Sequence, residues 1–291
     1  MIRVTVPCST SNLGGGFDCV GLALDRYLVA TFKAGPDSHL TRLGTLADGG
    51  NDDIVLNLLR RHGVQGTLVL DSSIPVGRGL GSSAAATLAG LAILSALDTD
   101  EFDYEVTLAV ASALEGHADN VAQSLLGGLV GVVAENGSYR PFPPELSNKI
   151  GFAYAAPHAI VSTKAARKAL PSQIPHDVAT RSVGRGIALI EGLAEADPDL
   201  LRIGFSDELH VPYRLGMIPG GAAALEAAVT AGAWAATISG SGSGLIAACA
   251  KGGEAAICAA MASAFNAASG QDGIAFVLQP DFNGIQIEKL R

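Results

Sequence analysis

Alternating apolar and polar positions dominate the first half of the chain, and longer apolar segments of helical length follow them. The predicted strands are 2–7, a pair within 19–34, 66–70 and 128–135, and the predicted helices are 82–97, 104–115 and 119–126. Strands and helices are mixed but do not alternate regularly, which indicates an α+β fold.

The second half has a more regular pattern. Its predicted elements are a strand at 150–157, a helix at 179–195, strands at 234–239 and 244–250, a helix at 253–267 and a strand at 274–280. This β-α-β-β-α-β order is typical of the ferredoxin-like, split βαβ arrangement, with further helical material at 197–231. Residues 136–149 are rich in Pro, Gly and Asn, so we expect domains at 1–149 and 150–291.

A glycine-rich loop precedes the most apolar predicted helix, in "IPVGRGLGSSAAATLAGLAILSAL" from Ile74 to Leu97. The first N–H groups of a helix lack backbone partners, and glycines let a phosphate approach them closely. Ser82 or Ser83 is expected to cap the helix, leaving the other hydroxyl for a ligand or metal. Taken alone, the loop fits an ordinary serine-capped turn equally well.

Two named nucleotide motifs fit this loop poorly. It lacks the Gly-Lys-Ser/Thr of a Walker A sequence. Gly79-x-Gly81-x-x-Ala84 matches a variant dinucleotide fingerprint, with Asp98 and Asp100 downstream. Eight residues separate the preceding predicted strand from Gly79, too many for the tight dinucleotide-binding turn, so that site stays a weak alternative.

Composition narrows the classes of partner. The 291 residues carry a net charge of −9, which argues against nucleic acid and against a basic membrane-surface protein. A polyanionic ligand would therefore be held by backbone amides, a metal and a few placed cations. Cys8, Cys19, Cys249 and Cys258 form no Cys-x-x-Cys pair, so we expect free thiols and a cytoplasmic location.

Membrane insertion is not expected either. The first residues, "MIRVTVPCST", contain no long apolar run of the kind a signal peptide has. The uncharged stretch 227–250 is long enough to span a bilayer, but "SGSGSG" interrupts it.

Three glycine-rich segments, at 6–25, 75–85 and 237–250, together resemble the three motifs of the GHMP kinase superfamily. The middle one is similar to the family's Pro-x-x-x-Gly-Leu-Gly-Ser-Ser-Ala-Ala. "EGHADNVAQSLLGG" (115–128) and "VSTKAARKALP" (161–171), with "SNLGGGFDCVGLAL" in the first motif, resemble the homoserine kinase branch. The resemblance runs from Val6 to Ala250.

The resemblance implies a two-domain GHMP kinase fold, with an N-terminal domain like ribosomal protein S5 domain 2 and a ferredoxin-like C-terminal domain. It implies that ATP, with Mg²⁺, phosphorylates the small molecule L-homoserine, and it leaves a homodimer open. Another GHMP kinase of the mevalonate-pathway type and a non-enzymatic relative are the alternatives, besides the dinucleotide-binding oxidoreductase.

The resemblance also assigns residues that hold ATP and its metal. Those expected around the ATP phosphates are Pro75, Gly77, Gly79, Leu80, Gly81, Ser82, Ser83 and Ala84. Ser83 and Glu115 are the expected Mg²⁺ ligands. Glu115 ends the predicted helix 104–115, where the helix dipole disfavours an acidic residue, and this independently hints at a functional role.

For the second substrate, the resemblance implies that Asn120 binds the reacting hydroxyl. The other expected substrate contacts are Asn12 and Asp18 at the amino group or reacting end, Arg167 and Arg214 at the carboxylate, and Gly240. Asn12 and Asp18 also fit ordinary Asx turns. Asp119 is expected to cap helix 119–126, and His117 is interpreted as structural.

The chain departs from the family pattern at three places. Gly15 replaces a usual Pro, Ser243-Gly244 replaces Pro-Ser, and Asp53 lies where an Asn near the adenine is usual. The contacts to the nucleoside are therefore the least defined by sequence, and no general base is assigned.

Overall fold

Two β-sheets with helices packed against them form the structure, a computed structural model that describes residues 1–49, 53–99 and 101–290. Asp100, weighed above for a dinucleotide site, lies outside these residues. The strands are β1 Ile2–Ser11, β2 Val20–Ala34, β3 His39–Gly44, β4 Gly66–Ser72, β5 Leu129–Glu135, β6 Ser138–Phe142, β7 Ile150–Ala156, β8 Ala235–Ile238, β9 Leu245–Ala250, β10 Ile274–Leu278 and β11 Gln286–Lys289.

The helices connect the strands and cover the sheets. They are α1 Ile54–Arg61, α2 Ser82–Asp98, α3 Tyr104–Glu115, α4 Val121–Leu126, α5 Thr163–Lys168, α6 His176–Glu195, α7 Pro198–Gly204, α8 Val211–Arg214, α9 Gly221–Thr230 and α10 Glu254–Ser269. Short 3₁₀ turns at Gly14–Gly16 and Leu215–Met217 complete the described elements.

The first sheet has seven strands and is organised by β2. The expected strand pair within 19–34 is wrong, because these residues form one strand of 15 residues. Its first part pairs with β5, its last part with β4, and β1 runs along both parts with an irregularity after Pro7. Among the described strands of this sheet, only the β3–β4 pair is parallel, which argues against the parallel sheet of a dinucleotide-binding fold.

The apolar helix α2 packs between this sheet and the neighbouring helices α1 and α3. Eight of its side chains or glycines are buried, on more than one face, as its all-round apolar sequence predicts. A helix held from several sides gives the loop before it a fixed support.

Two helix starts differ from expectation. Gly81, in a left-handed conformation with φ +65°, is the N-cap of α2, and no side chain caps the helix, so neither Ser82 nor Ser83 does. At α4 the N-cap is Asn120, again without a side-chain bond, so Asp119 is not the cap. In both cases the polar side chains line one cleft instead of capping the helix.

The second sheet confirms the ferredoxin-like arrangement, with the order β10-β7-β9-β8 and every pair antiparallel. The first helix was assigned wrongly: α9 packs on the sheet with α10, whereas the predicted helix 179–195 belongs to α6, which packs on α7 and the turn Gly14–Gly16. The chain then returns to the first sheet, where β11 pairs with β1. The boundary between 1–149 and 150–291 stays a prediction, and β11 lies across it.

The uncharged stretch 227–250 contains the end of α9 and both strands β8 and β9. None of the described helices combines the length and apolar character that crossing a membrane requires.

Candidate active site

The three glycine-rich segments meet at one end of the first sheet. Ser239 donates its hydroxyl to the carbonyl oxygen of Gly79 at 2.6 Å and exchanges a hydrogen bond with Thr10 at 2.9 Å. The backbone N–H of Gly240 donates to the carbonyl of Ser11 at 2.9 Å. Segments more than 150 residues apart in sequence are therefore joined by direct bonds.

Glycine is needed at two positions of the loop before α2. A Cβ on Gly79, where φ is +76°, would lie 2.0 Å from the carbonyl oxygen of Ser239. A Cβ on Gly81 would lie 2.6 Å from the hydroxyl of Ser9. The close approach of the three segments and the left-handed backbone both require residues without side chains.

A cleft of about 240 Å³ opens over this meeting point. Its lining residues are Asn12, Gly77, Arg78, Gly79, Gly81, Ser82, Ser83, Ala84, Glu115, His117, Asp119, Asn120, Thr163, Arg167, Arg214 and Ser241. Most of the sequence-predicted site residues are thus brought together. The remaining four are not among the lining residues: Pro75 and Leu80 are buried beneath the loop, and Asp18 and Gly240 lie next to lining residues.

Glu115 lines the cleft beside the first turns of α2. Its Oε1 accepts hydrogen bonds from Ser83 at 3.0 Å and Thr87 at 2.6 Å. Two neighbouring ligands of an octahedral Mg²⁺ ion, each at about 2.1 Å, are themselves about 3 Å apart. Ser83 and Glu115 therefore have the right separation for Mg²⁺. The described residues contain no group of three His, Cys, Asp or Glu side chains for a metal, so phosphate and water oxygens would complete its shell.

Asn120 is held between β1 and the cleft. Its amide nitrogen donates to the backbone and side-chain oxygens of Ser9, both at 3.1 Å, and its Oδ1 accepts from Ser11 at 3.1 Å. A carbonyl oxygen has two lone pairs, so Oδ1 can accept one further bond, from a ligand hydroxyl.

His117 and Asp119 form a pair on the same wall. Their Nδ1 and Oδ1 atoms are 2.5 Å apart, with the carboxylate almost completely buried. Burial disfavours both charges, yet the contact outweighs it, raising the pKa of His117 and lowering that of Asp119. His117 was set aside as structural on sequence grounds, whereas the structure places it in the cleft lining.

Asp18 and Arg167 approach from opposite halves of the chain. Arg167 donates from both terminal nitrogens to the two carboxylate oxygens of Asp18, at 3.1 and 3.4 Å. Asn12 accepts the backbone N–H of Asp18 at 2.8 Å, and both residues have positive φ. Asn12 therefore forms an Asx-type turn and also lines the cleft.

Arg214 is 1% exposed. Its Nε donates to the carbonyl of Ala166 at 3.3 Å, and its Nη1 donates to that of Gly240 at 3.3 Å. Among the described residues no carboxylate lies within 4.0 Å of it, and burial lowers its pKa. An ionised side chain taken out of water without a counter-charge is costly, so the site favours an anionic ligand.

Sequence reasoning missed Arg78, Thr163 and Ser241 in the cleft lining. Arg78 donates to the carbonyls of Pro157 and His158 at 2.8 and 2.9 Å, which ties the glycine loop to the segment before α5. Arg78 could have been identified from the sequence, because it is a cationic residue within the loop predicted to bind phosphate. Thr163 and Ser241 share a 3.1 Å hydrogen bond that only the folded chain creates.

The departures from the family pattern have local explanations. A Cβ on Gly15 would lie 2.7 Å from the backbone of Arg185, so α6 packs directly on this glycine. Ser243 donates to the carbonyl of Ala159 at 2.5 Å, and a Cβ on Gly244 would lie 2.2 Å from the Tyr154 hydroxyl. Asp53 caps α1 by accepting the N–H of Leu56.

The chain matches two family models, the GHMP kinases N terminal domain over residues 51–128 and the GHMP kinases C terminal over 189–267. The homoserine kinase of Parasynechococcus marenigrum (strain WH8102) is 38% identical, covering 92% of this chain and 90% of that one. The homoserine kinase of Synechococcus sp. (strain CC9902) is 36% identical with the same coverage.

Among solved structures, homoserine kinase from Cytophaga hutchinsonii superposes with a TM-score of 0.83 at 27% identity, covering 99% of this chain and 97% of that one. The two chains therefore share the same overall fold. The chain therefore belongs to the GHMP kinase family and groups within it with the homoserine kinases.

Proposed function

We propose that the protein transfers the γ-phosphoryl group of ATP to the hydroxyl of L-homoserine, giving ADP and O-phospho-L-homoserine. The observation that carries the proposal is Arg214, a buried guanidinium without a carboxylate partner, at the cleft that also contains the glycine loop. It supplies a place for a substrate carboxylate within reach of a place for phosphates.

The phosphates of ATP would lie at the start of α2. The unpaired N–H groups of its first turn and the helix dipole favour negative charge there, and Gly79 and Gly81 leave the backbone uncovered. A neighbouring hollow, lined in part by Ile54, Leu58 and Leu114 and sharing Ser83 with the cleft, offers apolar surface for the nucleoside. This arrangement needs few basic residues, in agreement with the net charge of −9.

Mg²⁺ would be held by Ser83 and Glu115, whose oxygens have a separation suited to neighbouring ligands. When bound, it neutralises charge on the phosphates during transfer. Thr87, which donates to the same carboxylate oxygen, keeps Glu115 turned toward Ser83.

Charged side chains would recognise the ammonium and carboxylate groups of homoserine. The ammonium group of homoserine would bind Asp18 and Asn12, and the carboxylate would bind Arg214 and Arg167. Since Asp18 and Arg167 pair with each other in the free protein, a bound zwitterion gives each a substitute partner of the right sign. Little charge would be left unpaired on binding.

The reacting hydroxyl would donate to the free lone pair of Asn120, which turns an oxygen lone pair toward the γ-phosphorus. A loose phosphoryl-transfer state depends on positioning and charge neutralisation more than on a strong base. The hydroxyl proton would pass to phosphate or water. Gly240 would contribute by holding Arg214 through its carbonyl.

A coupled ADP-release assay tests the proposal, with Mg·ATP and L-homoserine, mevalonate, galactose or L-threonine as acceptor. We expect turnover with L-homoserine and none with mevalonate. Background ADP release with L-homoserine at every Mg²⁺ concentration would overturn the proposed reaction, and preferred use of mevalonate would identify a different member of the family.

A further inference from the structure

His210 is completely buried next to Arg214 and takes no part in the reaction described above. It directly precedes α8, the short helix that ends at Arg214, so the two side chains lie one helical turn apart. Its ring stacks on Phe17, with centroids 5.0 Å apart. Phe17 belongs to the first glycine-rich segment, so His210 lies where the two halves of the chain meet.

Both ring nitrogens of His210 have a polar neighbour. Nε2 is 3.1 Å from the backbone carbonyl oxygen of Asn12, and Nδ1 is 3.5 Å from Nη1 of Arg214. A carbonyl can only accept and a guanidinium can only donate. The proton must therefore be on Nε2, and Nδ1 must be the acceptor.

The surroundings keep this ring neutral. Burial lowers the pKa of His210 to about 4; the nearby Asp207 carboxylate opposes the shift and the Arg214 charge adds to it. Asp207 is already bonded to backbone N–H groups of Leu209, His210 and Val211, and its Oδ2 is 3.9 Å from Nε2. Near neutral pH the imidazole therefore keeps its acceptor lone pair toward Arg214.

The contacts of Arg214 show what that lone pair does. Nε is bonded to Ala166, and the two protons of Nη1 are directed to Gly240 and His210. Within the described part of the chain, the protons of Nη2 have no such partner. The guanidinium is therefore anchored along one side and presents the remaining nitrogen to a ligand.

We propose that His210 is a positioning residue that aims Arg214 at the substrate carboxylate and, through the carbonyl of Asn12, couples this to the binding of the substrate ammonium. Asn12 has φ +59°, a left-handed conformation that costs energy for a non-glycine residue, and the bond to His210 helps hold it. The inference rests on the proposed function, because it assumes that Arg214 and Asn12 bind the amino acid.

Two near-isosteric variants separate the two contacts. In His210→Gln the amide nitrogen reaches the position of Nε2 and still donates to Asn12, but nothing accepts from Arg214. In His210→Asn the amide oxygen occupies the position of Nδ1 and still accepts from Arg214, but nothing reaches Asn12. His39→Gln, at an exposed histidine in β3, is the matched control.

The readout is competition against L-homoserine by two truncated analogues. 4-Hydroxybutyrate keeps the carboxylate without the ammonium, and 3-aminopropan-1-ol keeps the ammonium without the carboxylate. We expect His210→Gln to raise the inhibition constant of 4-hydroxybutyrate by about tenfold or more, and His210→Asn to raise that of 3-aminopropan-1-ol instead. The KM for ATP should stay within about twofold in both, as for a residue remote from the nucleotide.

Equal weakening of both analogues in both variants would reduce His210 to a core residue and overturn the inference, as would no weakening in either. If wild type does not phosphorylate L-homoserine, the proposed function fails by itself. Nitrogen NMR of the wild-type histidines tests the contacts without any substitution: we expect the Nε2–H tautomer for the buried ring, and the Nδ1–H tautomer would contradict the inference.

Discussion

Glu115 is the residue whose role in phosphoryl transfer can be tested with the least disturbance. Glu115→Gln removes the charge, yet the amide oxygen can still accept from Ser83 and Thr87. We expect kcat to fall by roughly two to three orders of magnitude, as for loss of a main charge-stabilising group, with the melting temperature nearly unchanged.

The exposed Glu105, in the first turn of the same helix, provides the matched control. Glu105→Gln should leave kcat unchanged. A folded Glu115→Gln enzyme with near wild-type kcat would show that Glu115 does not hold the metal.

Substitution of Arg214 tests whether this residue binds the carboxylate of the substrate. Because three of its N–H groups are anchored in the protein, lysine cannot reproduce its contacts although it keeps the charge. We expect Arg214→Lys and Arg214→Ala to raise the KM for homoserine, with alanine costing about 2–4 kcal/mol or roughly 30- to 1000-fold.

The KM for ATP should change little in either Arg214 variant, and steady-state kinetics with each substrate varied in turn measures both constants. If ATP and homoserine suffer equally, Arg214 supports the whole cleft and does not hold the carboxylate.

Among the elements, the loop before α2 carries the sharpest steric constraint. Gly79→Ala places a Cβ 2.0 Å from the carbonyl of Ser239, whereas at Gly137, with nearly the same φ of +77°, no atom lies within 4 Å. Both variants bear the left-handed backbone cost of about 1–2 kcal/mol. We expect Gly79→Ala to lose a further 1–3 kcal/mol, roughly, and to raise the KM for ATP.

Chemical denaturation of the two variants measures the difference. Equal losses of unfolding free energy, with ATP binding intact in both, would mean that the loop can move away from Ser239 at no cost.

The His117–Asp119 pair, in the segment between α3 and α4, should make the free energy of unfolding depend on pH. His117 has a raised pKa, so its contribution is complete below the unfolded value near 6.5 and is lost as the pH rises through the folded value. Asp119 has a lowered pKa, so its contribution is lost only as the pH falls through the lowered value.

The stability advantage of wild type over His117→Gln should therefore be larger at about pH 6 than at about pH 9, as measured by urea denaturation. An advantage that is the same at both values would show that the imidazolium form is not preferred in the folded state.

Elements with strong local signals could be predicted, and those set by distant partners could not. The apolar helix α2 and helix 104–115 were evident from sequence. The N-caps of α2 and α4 were predicted wrongly, because Asp119 pairs with His117 and the two serines at the start of α2 line the cleft. The strand pair was wrong because β2 continues without a turn, paired with β1 along most of its length, with β5 at its start and with β4 at its end.

The same division holds for the candidate site. Motif resemblance indicated Ser83, Glu115 and Asn120, but the contact of His210 with Asn12 joins residues 198 positions apart. No periodicity or spacing encodes such a contact. It exists because His210, the residue before α8, contacts Asn12 and Phe17 in the turn after β1.

In the whole molecule, distant parts of the chain meet at one cleft. The start of α2 lines it and would hold the phosphates, and α5 and α8 supply Arg167 and Arg214 to the same cleft. Because these come from different parts of the chain, the reaction depends on the intact fold, and neither half carries the full set of contacts.

If the proposed function is right, the cleft couples recognition of a carboxylate to phosphorylation of a hydroxyl. The direct measurement compares kcat/KM for L-homoserine with that for 3-aminopropan-1-ol, which lacks only the carboxylate, with phosphorus NMR identifying the phosphomonoester formed. We predict that L-homoserine is favoured by roughly 30-fold or more, as for one buried charge-assisted contact. Comparable kcat/KM values for the two acceptors would show that the cleft does not recognise the carboxylate.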